Sequence, residues 1–201
     1  MNRIDTRLEQ KIGFDRIRRI ISDKCSTTYA ADRAAEETFS DNAAEIRKRL
    51  LLTDEMRLIM MFEDSFPSGG FIDCIDFLKP LERSSSAIDL ISLRKLKTML
   101  ETLRKITSFF EGIKDGVYPN LKRMSAPIMG FPEVQRRIES IIDRYGDVKD
   151  TASDELYSIR KSLREKEGAI SRRVSAILKR AQEEGIVDSD AGISVRDGKM
   201  L

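Results

Sequence analysis

The stretch SDELYSIRKSLREKEGAISRRVSAILKRAQEE, from Ser153 to Glu184, constrains this chain more than any other. Leu156, Leu163, Ile170 and Ile177 recur every seven residues. Ile159, Val174 and Ala181 follow three of them by three or four places, which is a helical and not a strand period. The spacing predicts one straight helix of roughly 48 Å at about 1.5 Å per residue. A small domain is only ~30 Å wide, so part of such a helix must leave the body that anchors it and protrude as an arm. Its apolar stripe is thin, with Lys166 and Arg173 standing where a wider stripe needs apolar side chains. That pattern suits a seam against one partner helix better than burial inside a bundle.

The charge along this helix is ordered. Ser153 is placed to cap the orphan amides of the first turn, and Asp154 and Glu155 put negative charge at the positive end of the dipole. Between Arg160 and Arg180 the sign reverses. Arg160, Lys161, Arg164, Lys166, Arg172, Arg173, Lys179 and Arg180 face only Glu165 and Glu167, a local excess of six in a chain whose formal net charge is +2. A charged rod can follow a nucleic-acid backbone without distorting a core. The candidate nucleic-acid contacts are therefore Arg160, Lys161, Arg164, Arg172, Arg173, Lys179 and Arg180, with Lys199 beyond them. Arg172, Arg173, Lys179 and Arg180 form the distal group expected to meet phosphates.

Composition bounds the rest. At 201 residues and 40% hydrophobic content the chain can build a sizeable core. Charged residues at 35%, aromatics at 6% and no Trp point to an all-α protein of exposed helices rather than a β-sandwich. No apolar run approaches the ~20 residues that span a bilayer. The opening MNRIDTRLEQ is too charged for a signal peptide, so a cytoplasmic location with no membrane partner is expected. The chain has no His, and Cys25 and Cys74 lie far apart with no CxxC. Zinc sites, Ser-His-Asp triads and Cys-His nucleophiles lack their ingredients, and both cysteines read as small core residues.

In chain order, Ile4, Leu8 and Ile12 make a short helix ending at Gly13, and Asp15 is expected to cap a second bearing Ile17, Ile20 and Ile21. TYAADRAAEET is a third. Asp41 or Asn42 starts a fourth, whose expected buried face is Ile46, Leu50, Met56, Ile59 and Met60. SFPSGGF is a loop, followed by a short turn near Pro80. A helix beginning between Ser86 and Ser92 carries Leu93, Leu96, Leu100, Leu103, Ile106 and Phe110. An irregular connection with a turn around Leu121 precedes a helix with Pro132 at its first position and Val134, Ile138, Ile141 and Ile142 along it. After Gly185 the period changes to two: Ile193 and Val195 alternate with polar residues before Asp197-Gly198, a hairpin signal. A strand with no room for a second arm cannot satisfy its own ladder, which predicts an N-terminal piece of a longer protein ending inside a β-element.

No phosphate loop is present, since Gly192 to Gly198-Lys199 has the wrong spacing and Met where Ser or Thr is needed. No carboxylate pair stands out from the solvated helix faces, so no catalytic residue is assigned. Phe109-Phe110-Glu111 and Phe131-Pro132-Glu133 match the Phe-x-Glu triplet of mismatch readers by chance spacing on helix ends. The doublets Arg18-Arg19, Arg47-Lys48-Arg49, Lys122-Arg123 and Arg136-Arg137 are scattered among acids and read as ordinary exposed faces.

LEQKIGFDRIRRIISDKCST resembles the opening helix pair of the bacterial MutS-II family, the MutS paralogues that lack a mismatch-reading domain. PSGGFIDCIDFLKPLER is similar to its Gly-Gly loop, YGDVKDTASDEL to its entry into the lever helix, and GISVRDGKML to the strand leading into its clamp. The resemblance implies a helical core over 1–150, the first lever helix over 151–185 and the start of the clamp over 186–201. It also implies a longer protein that binds ATP and Mg, dimerises through its ATPase domains, binds branched DNA and restrains recombination. Some members act on stalled ribosomes, and many carry a C-terminal endonuclease domain. This stretch is then the structural coupling module between ATPase and clamp, with no cofactor of its own. The rival reading is a helical scaffold or adaptor whose arm pairs with a partner helix and binds no nucleic acid.

Overall fold

The computed structural model describes residues 6–83, 86–196 and 199–200, with only the backbone described for residues 6–7, 195–196 and 199–200. The described chain is all-α apart from one two-residue ladder and one isolated β-bridge. It divides into two compact units, one up to Ile138 and the other from Glu139 onward.

In the first unit, α1 (Thr6–Ile12) stops where Gly13 turns left-handed at φ 74°, and α2 (Phe14–Ser22) starts at once. Gly13, not Asp15, is the N-cap of α2; Asp15 stands two positions too far along and contributes only first-turn negative charge. Helix α3 (Thr28–Ala35) is capped by Thr27 and also by Asp73, whose carboxylate accepts from the N–H of Thr28 at 2.5 Å and of Tyr29 at 3.2 Å. Asn42 caps α4 (Ala43–Phe62) by accepting from Ala44 and Glu45. After α5 (Ile75–Leu78) and a 3-10 turn, Asp89 caps α6 (Leu90–Gly112). Then come α7 (Pro119–Ser125) and α8 (Pro132–Ile141), which runs across the division.

The core of this unit gathers Ile59, Phe109, Phe110 and Leu121, ringed by Leu52, Met56, Phe66, Ile106, Ile113 and Tyr118. Phe66, Phe109 and Phe110 meet edge to face, with centroids 5.1 Å apart for Phe109 against either partner, a favoured quadrupole geometry. Phe109 and Phe110 are buried, so the first Phe-x-Glu triplet is core packing and offers no ring to a base. The face expected for α4 needs correction. Glu55 and Ile59 are its buried residues, whereas Ile46, Leu50 and Met60 are exposed. Apolar side chains run nearly all the way round α4, so periodicity alone does not select the packed face. Cys25 and Cys74 are half-buried rather than core, and burial followed by the Asp73 charge pushes the Cys74 thiol up.

In the second unit, the loop after Ile142 is organised by Asp143. Its carboxylate accepts from the N–H groups of Tyr145 and Asp147, Gly146 adopts φ 88°, and Ile142 bridges Val148 antiparallel. A 3-10 turn (Asp150–Ala152) leads into α9 (Asp154–Glu183), capped as expected by Ser153 accepting from Leu156 N–H. The chain ends in β1 (Val195–Arg196) and β2 (Lys199–Met200), paired antiparallel with Val195 opposite Met200 and Arg196 opposite Lys199. The strand is thus not alone, because two residues on either side suffice to close a minimal ladder. Ile193 lies outside it, and the Asp197-Gly198 turn lies outside the described residues.

Candidate nucleic-acid interface

Helix α9 is 30 residues long and has no buried residue. Its cations, alike in composition, fall into three groups by partner and by face.

The first group is tied down. Arg160 donates to the Val148 carbonyl at 2.9 Å and to Asp150 Oδ1 at 2.6 Å, and Arg164 donates to Asp150 Oδ2 at 2.5 Å. Asp150 sits just before α9, so the two arginines, one helical turn apart, clamp the entry loop to the first half of the helix. The Arg164 and Arg160 hydrogen bonds hold the Asp150 carboxyl below the usual carboxylate range, and the Asp150 contact raises Arg164 above its ordinary value. These two side chains already have anionic partners and a structural task.

The second group is Lys161, Arg172 and Lys179. Their spacings of eleven and seven residues sum to eighteen, about five turns of 3.6 residues, so they stand in one file along the helix. Lys161 and Arg172 have no ion pair among the described residues, and Lys179 has only a distant contact with Glu183 at 4.0 Å between exposed groups. The third group is Lys166, Arg173 and Arg180, every seventh residue, along one edge of the exposed apolar stripe. Only Arg180 of these is paired, with Glu184 at 2.7 Å, and its side chain remains 79% exposed. The Lys199 side chain lies outside the described residues, where only its backbone place in β2 is defined.

Each of the scattered basic doublets of the first unit has at least one engaged cation. Arg18 binds Glu9 and the Glu37 carbonyl, Arg49 bridges Glu37 and Glu45, Lys122 holds Asp115 and the Ile113 carbonyl, and Arg136 pairs with Glu133. Two features escaped sequence reasoning. Asp150 was invisible as an arginine acceptor because its partners lie ten and fourteen positions away, and Gln182 donates to the Ser189 and Ala191 carbonyls, pinning the following segment to the end of α9. No group of His, Cys, Asp and Glu among the described residues could hold a metal ion. No described helix is long and apolar enough to cross a membrane.

No protein-family model matches the chain. Individual proteins do. The chain is 26% identical over 195 residues to a protein of Thermomicrobium roseum named endonuclease MutS2, covering 94% of this chain and 24% of that protein. It is 28% identical over 205 residues to the protein of that name from a Geobacillus species, covering 98% and 25%. Against that of Listeria welshimeri it is 25% identical over 200 residues, again 98% and 25%. These matches, spread over nearly the whole chain, support a MutS2-like relationship. The chain spans about a quarter of the length of the curated relatives it matches.

Proposed function

We propose that this chain is the core and lever region of a MutS-II-like protein: a helical core over 1–150, a lever helix over 151–185 and the start of a clamp beyond it. In this reading the whole protein is a dimeric DNA-binding ATPase with an endonuclease activity that acts on branched DNA and limits recombination. The region described here performs no chemistry. It carries motion and charge between a distant ATPase and a clamp on the nucleic acid. The relatives named endonuclease MutS2 support the class. The observation that carries the nucleic-acid role is the file Lys161, Arg172 and Lys179, three exposed cations aligned on one face of α9, of which none has a close anionic partner. Three phosphate contacts correspond to a slope of about −2.7 in log affinity against log salt on duplex DNA.

The test is a titration of a branched DNA at several salt concentrations, comparing wild-type protein with K161Q/R172Q/K179Q. The variant is expected to bind more weakly and with a slope shallower by about that amount. An unchanged slope would leave this file as a solvated face. That result would support the second reading, a scaffold whose arm pairs with a helix, which the exposed apolar stripe of α9 favours.

A further inference from the structure

Residues 139–201 contain two aromatic side chains, Tyr145 and Tyr157, and both are left in water, 70% and 45% exposed. A ring is among the largest contributions one side chain can make to a core. The first unit uses Phe66, Phe109 and Phe110 in that way, and the second uses neither of its rings so. Tyr145 is nevertheless held in place. Asp143 accepts from its N–H at 2.8 Å and from that of Asp147 at 2.9 Å, Gly146 takes φ 88°, and the bridge between Ile142 and Val148 closes the loop beneath it. The Arg144 guanidinium lies over one face of the Tyr145 ring, 4.7 Å from its centroid, and leaves the opposite face open. Arg160 binds the Val148 carbonyl at 2.9 Å, which fixes the base of the loop against α9. Three residues span at most about 11 Å, so Tyr145 stands within that reach of Val148. Beside Arg160 is Lys161, the first of the open file, and Tyr157 precedes Lys161 by one turn on the same face.

Three occupants can be weighed on these facts. A protein partner needs an apolar surround, but the neighbours of Tyr145 in the loop are Asp143, Arg144, Gly146 and Asp147. A continuous duplex offers phosphates to the file but keeps its base faces stacked, and freeing one costs unstacking energy. An unpaired base brings a bare π-face, which a ring backed by a cation complements. We propose that Tyr145, backed by Arg144, is a stacking platform for an unpaired base of a DNA strand whose phosphates follow Lys161, Arg172 and Lys179. Tyr157 is a second ring at the head of that file. The carboxylates nearby do not oppose such a strand fully, because Asp143 is engaged by backbone N–H groups and Asp150 by Arg160 and Arg164. The platform selects forks and overhangs over continuous duplex.

The inference rests on the nucleic-acid reading and names the feature of the substrate that is selected. Two fluorescent DNA probes share one duplex, one of them blunt and the other carrying a short thymine overhang, and both are titrated by anisotropy against the whole chain at low salt. Tyr145→Ala is expected to weaken binding of the overhang probe about fivefold or more and to leave the blunt probe as in wild type. Its slope against salt is expected to stay unchanged on either probe, because the ring neutralises no phosphate. Tyr145→Phe, which keeps the π-face, is expected to bind like wild type. With 5-iodouracil in the overhang, irradiation of the wild-type complex is expected to give a crosslink that mass spectrometry maps to Tyr145, a readout that needs no variant to fold. No loss or an equal loss on both probes in Tyr145→Ala, a Phe variant as weak as the Ala variant, or a crosslink that omits Tyr145 would overturn the proposal. Binding of neither probe by wild type would defeat the nucleic-acid reading itself, and this inference with it.

Discussion

The carboxylate of Glu55, in the middle of α4, accepts the backbone N–H of Leu121 at 2.8 Å and thereby caps a helix 66 positions away in sequence. The same group takes the Asn120 N–H at 3.1 Å and the Asn120 side-chain amide at 2.6 Å. Glu55 is only 8% exposed, and α7 offers it the positive end of a helix in place of a cation. Tyr118, left-handed at φ 49°, has no side chain able to cap α7 itself, so the cap comes from tertiary structure.

Glu55→Ala removes the acceptor and leaves the α7 amides without a partner inside the fold. A loss of about 2 kcal/mol is expected from such a change. Urea unfolding followed by circular dichroism measures it, and a midpoint within error of wild type would show that water replaces the carboxylate at no cost.

The Gly-Gly loop answers to α6. Gly70 has φ 83°, and a Cβ there would lie 2.3 Å from Thr102 Oγ1, which is buried and hydrogen-bonds at 3.0 Å to the Thr98 carbonyl and at 3.2 Å to that of Gly70. Gly70→Ala is expected to cost about 2 kcal/mol or more, through left-handed backbone and close contact together. At Gly69, where a Cβ meets nothing within 4 Å, the same change is expected to shift stability by about 0.5 kcal/mol at most. Thermal melts of the two variants side by side separate the effects.

Asp150 links stability to pH in a defined direction. Its folded pKa is depressed by Arg164 and Arg160, so the stabilisation is complete above the unfolded aspartate value, about 3.9, and is lost as pH falls through the lower folded value. The stability gap between wild type and Asp150→Asn is therefore expected to be flat from neutral pH to about pH 5 and to close below about pH 4. Denaturant melts of both proteins across that range check it, and a gap that persists at the acid end would assign the loss to packing rather than charge.

Gln182→Ala removes both donors to the Ser189 and Ala191 carbonyls, at 3.1 Å each. Faster amide exchange is expected over residues 187–192, with the middle of α9 unaffected and Ile186 still protected, because the bond between Ile186 N–H and the Ala181 carbonyl persists. Exchange mass spectrometry resolves the two regions.

Local physics made much of this protein legible in the sequence. Ser153, Asn42 and Pro132 announced helix starts because capping and φ restriction act within three residues, and the sevenfold recurrence from Leu156 to Ile177 announced α9. What tertiary structure alone decided is which of several equivalent faces or charges is used. Helix α4 carries apolar residues nearly all round, and only the positions of Phe109, Phe110 and Leu121 choose Ile59 over Leu50 as its buried side. Helix α9 shows eight cations of similar local context, and only the return of Asp150 against Arg160 and Arg164 separates clamped charges from open ones. Periodicity and capping are properties of neighbours in sequence. Burial and the pairing of Glu55 and Asp150 belong to groups brought together by chain folding, and the partners of these two carboxylates lie ten to sixty-six positions away.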